Sequence, residues 1–404
     1  MRTSTRKTIS AALAAIVAAM TLAHYTSPAR AQRIGDKVAA LLNPAQERTY
    51  VLYLRARAQH DRELDAYWSA VDERRQQRSK KRAAGQPYTP DDFVQVQPPI
   101  YRGPALPPSI EKIIAAATPP APPSEGLPAL ADFLAHAKRQ YGFLPRRGSE
   151  TDFKRKYAIE SLRLGLSKDQ VVRVYALETG GRGTYDMQAG IDPQTKKGRH
   201  ISSALGYAQL LAANSVNELV KHGNAFYTRL EGMSRSRNVS SARASELRRK
   251  MVALRRMIRA ARSVPNRWSA HVAFSRTPKG LGIHALNLDA DIGPWLQTIK
   301  LKGVREVAEK AGRPNLTGAE IELMNLAGPR TGLEMMDPVG ARMPTTNFFA
   351  RAAYYRNTIV RNKSSADLLQ ALQDRMNVNL KQAGSIAFAK AFDDVRGTTR
   401  TTRR

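Results

Sequence analysis

Cysteine is absent from the 404 residues. That excludes disulfides, thiolate metal sites, a cysteine nucleophile and a lipid-modified N-terminal cysteine. Histidine is sparse, with seven scattered residues and no His-Glu-x-x-His pairing, so zinc hydrolase chemistry is not expected and neither is any metal or cofactor. Acidic residues are few: 34 Asp and Glu against 65 Lys and Arg, a formal net charge of +31. No long alternating strand pattern appears, which argues against a sheet-built fold. With 42% hydrophobic and 25% charged residues, the composition is that of a globular protein, neither disordered throughout nor polytopic in a membrane.

The N-terminus reads as an export signal. Arg2, Arg6 and Lys7 precede an uncharged, mostly apolar run from Thr8 to Ala23, and a polar stretch ends at Ala29-Arg30-Ala31. This is the order of a positive region, a short apolar core and a small-x-small cleavage site. The apolar run falls short of the roughly 20 residues a spanning helix needs. Cleavage after Ala31 removes four basic residues (Arg2, Arg6, Lys7 and Arg30) and no acidic one, lowering the charge to +27 with no transmembrane span left. The expected location is periplasmic or secreted. There, anionic envelope surfaces and the acidic peptides of a cell wall are the expected partners rather than nucleic acid.

Four further regions follow. Residues 32–86 form a basic helical region, with Val51, Leu54, Ala58, Leu64, Tyr67, Trp68 and Val71 among many charges. Such a helix cannot fill a core by itself. Residues 87–128 hold twelve of the 23 prolines, among them Pro98-Pro99, Pro107-Pro108, Pro119-Pro120 and Pro122-Pro123. That density predicts an extended, semi-stiff linker. Residues 129–396 pattern as helices punctuated by Gly and Pro. They include a basic helical insertion over 235–267, whose Leu247, Met251, Leu254 and Ile258 keep a four-three-four spacing, the pattern of a helix packed on its own domain and equally of a helical hairpin, a dimer seam or a membrane-surface helix. Residues 397–404 read as a frayed basic tail. The fold class expected is mainly α.

The most informative residue is Glu178. Ser167-x-x-Gln170 is a capping box opening a helix with Val171, Val174, Tyr175 and Leu177 on its apolar side, and the helix stops at Gly180-Gly181. Glu178 therefore leaves the apolar end of that helix. Partial desolvation disfavours an ionised carboxyl, which suits a general acid working near neutral pH. A loop to about Ser203 follows, with room for a short hairpin having Thr184-Tyr185-Asp186-Met187 as one arm, and then a helix predicted over Tyr207–Lys221, ending at Gly223.

Glu178-Thr179-Gly180-Gly181, followed by Ser203-Ala204-Leu205-Gly206-Tyr207-Ala208-Gln209-Leu210-Leu211, resembles the soluble lytic transglycosylase branch of the lysozyme-like superfamily. The resemblance covers roughly residues 127–360. It implies a lysozyme-like α-helical catalytic domain with a small β-hairpin or loop insertion, acting on peptidoglycan glycan strands. Glu178 matches the family's acid, Thr179 the hydroxyl residue after it, and Gly206-Tyr207-Ala208-Gln209 the Gly-x-x-Gln segment, with Gln209 placed one turn into a helix. The third segment, an Ala-Tyr-Asn-Ala-Gly-like stretch, finds its best match at Leu323-Met324-Asn325-Leu326-Ala327-Gly328-Pro329. It lacks the Tyr, and Asn325 fits either family position. The 27-residue step from Glu178 to Leu205 is longer than the family's spacer.

The resemblance implies one-carboxylate chemistry. Glu178 protonates the leaving oxygen, then deprotonates the muramyl 6-hydroxyl to give a 1,6-anhydro product, with Thr179, Gly206, Tyr207, Gln209 and Asn325 on the substrate side. Ordinary glycosidases use two carboxylates, and the second candidate is Asp186, a hydrolytic muramidase being the corresponding alternative. A different class also fits, a non-catalytic peptidoglycan-binding or envelope-assembly protein on the same scaffold. Phe348-Phe349 and Tyr354-Tyr355 offer aromatic surface for sugar rings or belong to the core.

Overall fold

Backbone hydrogen bonding within helices dominates the chain. A computed structural model describes Val38, residues 40–118 and residues 126–401, and among them β pairing is confined to isolated bridges. The expected signal segment 1–31 lies outside the described residues, as do the last three residues of the basic tail. No helix among the described residues is long and apolar enough to cross a membrane. The chain divides into two compact units, one of residues up to Glu125 with Arg342–Ser364, the other of Gly126–Ala341 with Ser365–Arg404.

The first unit is built on α1 (Pro44–Ala83). Asn43 caps it, accepting from the backbone N–H of Ala45 and Gln46 at 3.0 and 2.9 Å, while the Gln46 side chain accepts from the Asn43 N–H. Only one edge of this long helix is buried. Tyr50 and Leu54 pack with Val38 and with Ile110 of α2 (Pro108–Ala117). Further along, Trp68 lies edge-on to Tyr354 and Tyr355, and Tyr67 shares a 2.6 Å hydrogen bond with Thr346.

Two expectations change here. Residues 87–128 are not an extended linker over their described length. They carry α2, and Phe93 is buried beside Arg78, whose guanidinium sits 4.3 Å from the ring centroid. The Asn347 amide pairs with both backbone groups of Val94, at 2.9 and 2.8 Å. Proline removes donors, but a side-chain amide can satisfy the backbone between prolines, so the segment docks. Residues 342–364, expected inside the catalytic domain, belong to this first unit, and with them Phe348, Phe349 and Tyr354, all buried there.

The second unit holds α3 (Leu130–Tyr141), α4 (Glu150–Arg163), α5 (Lys168–Thr179), α6 (Ala212–Ser234), α7 (Ser241–Arg262), α8 (Trp268–Ser275), α9 (Pro278–His284), α10 (Gly293–Lys310), α11 (Gly318–Ala327), α12 (Pro329–Met335), α13 (Ser365–Asn379) and α14 (Ala383–Thr401). Two apolar clusters fill it. One joins Phe133, Leu219, Phe226, Leu254 and Ile283; the other joins Tyr157, Tyr175, Ile321, Phe388 and Phe392. Helix α10 crosses both, giving Leu296 to the first and Leu301 and Val304 to the second.

Several boundaries differ from expectation. Gly223 does not end a helix: a Cβ there would come within 2.6 Å of Ile258, so the glycine lets α6 and α7 pack closely and α6 runs on to Ser234. The basic segment 235–267 packs on its own domain, the plainest of the readings its seam allowed, because Leu247, Leu254 and Met257 of α7 are core. The tail expected to fray from Gly397 continues α14 to Thr401. Between α5 and α6 the expected hairpin arm Thr184–Met187 is a turn, closed by Met187 N–H to Thr184 at 3.0 Å. The bridges there are Gln188 with Leu205, Ile191 with Gly198 and Leu205 with Leu210.

The inner face of the first half of α7 carries an ion network. Lys250 Nζ lies 2.8 Å from Asp289 and 2.5 Å from Asp291, and Arg243 reaches Asp291 at 2.5 Å. Burial would raise the Asp291 carboxyl, but Lys250 and Arg243 outweigh it and hold it down at about 2. A depressed carboxyl contributes stability above its unfolded value of 3.8, lost as pH falls through about 2. Removing the ammonium leaves buried Asp289 without its cation and leaves Asp291 to Arg243, so Lys250→Met is expected to cost about 3–5 kcal/mol in urea unfolding at neutral pH. The wild type is expected to lose stability steeply between 3.8 and about 2, and the variant less so, in acid-unfolding curves followed by circular dichroism.

Candidate active site

The end of α5 is fixed from three sides. Its start carries the expected capping box, with Gln170 N–H to Ser167 Oγ at 3.1 Å and Ser167 N–H to Gln170 Oε1 at 2.9 Å. At its other end Gly180 and Gly181 take the left-handed conformation, φ 63° and 71°. At Gly181 a side chain is excluded twice over, since a Cβ would lie 2.2 Å from the Asn379 carbonyl oxygen. Asn379 Nδ2 donates to the Ala176 carbonyl at 2.9 Å, and Ser385 N–H to the Gly181 carbonyl at 3.0 Å. The corner between α13 and α14 thus clamps the last turn of α5, which carries Glu178.

Glu178 faces α11. Asn325 Nδ2 donates a long hydrogen bond to Glu178 Oε1 at 3.4 Å and reaches both oxygens of Glu322 at 3.3 Å. Glu322 is 3% exposed and forms a carboxyl–carboxyl hydrogen bond with Glu178, which remains partly exposed. Lys300 of α10 completes the cluster, its charge acting on both carboxyls. Burial pushes Glu322 well above the ordinary carboxyl range, and the Glu178 charge pushes it further. Burial raises Glu178 too, against the opposing pull of the Glu322 hydrogen bond and of Lys300. Lys300 is lowered by burial, with the carboxylates drawing it back. Two adjacent buried carboxyls cannot both ionise cheaply, so they titrate as a pair holding one proton. One proton on the pair and one on Lys300 leave the cluster neutral overall.

The other expected residues divide. Asn325, expected on the substrate side, hydrogen-bonds Glu178. Thr179 is buried and donates its hydroxyl to the Tyr175 carbonyl at 2.7 Å, which finishes the helix. Tyr207 is 1% exposed, packed among Phe153, Tyr175 and Phe388, and donates to Glu150 at 2.5 Å. Both are framework residues, and their expected places on the substrate side are corrected accordingly. Asp186 is engaged elsewhere, with Arg147 at 2.6 Å and Thr184 Oγ1 at 2.6 Å.

Gly206 and Gln209 sit in a tight loop closed by reciprocal Leu205–Leu210 backbone hydrogen bonds of 3.0 Å. Gly206 has φ 76°, and a Cβ there would lie 2.3 Å from the Gln297 amide nitrogen. Absence of a side chain lets Gln297 of α10 enter and accept from the Ala208 N–H at 3.1 Å. Gln209, expected one turn into a helix, is not on one; α6 starts at Ala212. It takes φ 40°, uncommon for a residue other than glycine. Its amide turns inward to the Gly206 and Met187 carbonyls at 2.8 and 3.3 Å, holding the loop's own shape.

Glu322 and Lys300 were not singled out by the sequence reading. A signal was there for Glu322: a carboxyl between Ile321 and Leu323, both fully buried, and three residues before Asn325 on the same helix face. Among the described residues no three His, Asp or Glu side chains gather as metal ligands. No protein-family model matches the chain, no curated protein matches it, and no solved structure matches it.

Proposed function

We propose that the chain is an exported peptidoglycan-cleaving lytic transglycosylase on a lysozyme-like domain, breaking the β-1,4 bond between N-acetylmuramic acid and N-acetylglucosamine. The observation that carries this reading is a partly exposed glutamate at a clamped helix end, hydrogen-bonded to a buried, proton-holding carboxyl. A general acid must have a proton available near neutral pH and still reach its substrate; Glu178 is the partly exposed member of the pair, and the one proton that the pair holds can pass to it from Glu322. Its proton passes to the glycosidic oxygen as the bond from C1 breaks. The muramyl 6-hydroxyl then attacks C1 and returns its proton to Glu178, so no water is consumed.

In this reading Glu322 is a positioning residue. Once the pair's single proton has gone to the leaving oxygen, both carboxyls are charged, and their repulsion raises the affinity of Glu178 for the proton of the 6-hydroxyl. Direct contact between the two carboxyls also suits this role better than that of a second catalytic carboxylate, which stands about 5–9.5 Å away across the bond. One observation favours the second reading, a non-catalytic peptidoglycan-binding protein: the cluster neutralises itself through Lys300 without any substrate.

Digestion of purified sacculi, with products identified by mass spectrometry, tests the proposal. Glu178→Gln is expected to lower release of 1,6-anhydro muropeptides by about 10²–10⁴-fold while sacculus binding persists. Asp186→Asn, which alters only contacts with Arg147, Thr184 and Lys196, is expected to retain most activity. Undiminished release by Glu178→Gln, or no release by the wild type, refutes the assignment; hydrolysed ends in place of anhydro ends make the chain a muramidase.

The pH profile is a separate check on Glu322. Loss of the last proton from the pair is opposed by the neighbouring carboxylate, so the alkaline fall of kcat/KM is expected above the ordinary carboxyl range of about 4. In Glu322→Gln only burial opposes ionisation of Glu178, and Lys300 favours it. The alkaline limb is therefore expected to move to lower pH. An unmoved limb would mean that Glu322 does not tune the acid.

A further inference from the structure

The outward face of α7 is arginine with no acid. Arg248, Val252, Arg255, Arg259 and Arg262 follow one another at four-three-four-three spacing, with Arg249 and Arg256 beside them, and all seven are exposed. Glu246, the helix's only acidic residue, is turned to Arg243 and Lys250 on the inner side. No carboxylate pairs with any of the six outward arginines among the described residues. Like charges three and four residues apart repel one another along a helix, so packing alone gives no reason for this face. The inner stripe of Leu247, Met251, Leu254 and Ile258 already supplies the packing.

Beside the stripe runs a groove of about 670 Å³ between α6 and α7. Asn224, Tyr227, Arg255, Arg259, Arg262 and Ser263 border it. Arg255 lies 4.7 Å over the Tyr227 ring and donates to its hydroxyl. Arg262 donates to the Val220 carbonyl at 3.3 Å. These contacts hold two guanidinium groups in place, while each keeps further N–H donors in a fork matched to phosphate oxygens. Arg259 between them has no hydrogen-bond or ion-pair partner among the described residues.

We infer that this face of α7 docks the protein on an anionic phospholipid surface, with the groove seating a headgroup phosphate. Two features select a lipid surface over a soluble polyanion. The stripe is straight and about 21 Å long, at 1.5 Å per residue. Val252 stands 56% exposed within it, one turn from its start, where a polymer in water offers nothing for an aliphatic side chain. Arginine stems bury in the interface while their heads stay on phosphate.

The inference does not rest on Glu178, and its test reads no glycan cleavage. The purified full chain is floated with vesicles of phosphatidylcholine alone and of phosphatidylcholine mixed with phosphatidylglycerol. Binding is expected to the mixed vesicles only. The triple variant Arg255→Gln, Arg256→Gln, Arg259→Gln carries the same N-terminus, so any contribution from that end is common to both proteins. At roughly fivefold per arginine, the triple variant is expected to bind about a hundredfold more weakly. The corresponding triple lysine variant is expected to recover most of that loss, and circular dichroism to show unchanged helix in both. Equal binding to neutral vesicles, or an unweakened triple glutamine variant, overturns the inference. So does binding that appears only with inorganic phosphate or an isolated anionic wall polymer and never with mixed vesicles.

Discussion

Two carboxyl groups held against each other in a low-dielectric site cannot both be charged without large cost, and this constraint organises the second unit. Glu178 and Glu322 arrive on different helices, α5 and α11, and only a shared proton and the nearby Lys300 make their meeting tolerable. The arrangement is high in stakes for stability and useful for chemistry for the same reason. A carboxyl that holds its proton at neutral pH is an acid available to a substrate, provided one edge of it remains open.

The scaffold explains why the pair stays together. Helix α10 runs through both apolar clusters, so its polar residues are delivered to fixed places: Gln297 to the loop at Gly206, Lys300 to the carboxyls. The α13–α14 corner closes over Gly181 and ties off the carbonyls of α5. Tyr207 fills the space beside α4 and α5 and bonds Glu150, which also accepts the Tyr185 N–H at 2.7 Å. Residues that resemble a substrate-binding set in sequence thus do their work one layer behind the carboxyls, by making that layer rigid.

Local signals were legible. The Ser167 capping box, the Gly180-Gly181 stop and the partly desolvated position of Glu178 follow from chemistry within a few residues of each other, and the mainly helical class follows from periodicity. Non-local facts were not. Nothing near Gly223 says that Ile258 will press against it, so a glycine used for close packing reads as a helix end. The proline-rich stretch reads as a linker because the group that satisfies its backbone, Asn347, is some 250 residues away. Glu322 escaped for a related reason: its partner is on another helix, and within its own segment it is one more polar residue on a short turn of sequence. Gln209 matched its motif, yet its left-handed backbone and inward amide are set by the loop closure from Leu205 to Leu210.

The central claim is that Glu178 shares a proton with Glu322 near neutral pH, and carboxyl carbon NMR of protein labelled at glutamate measures it most directly. The account predicts a glutamate signal that titrates well above the ordinary value of about 4.3, and that is lost or moved in both Glu178→Gln and Glu322→Gln. A titration in which every glutamate ionises at ordinary values, unchanged by either substitution, would contradict it.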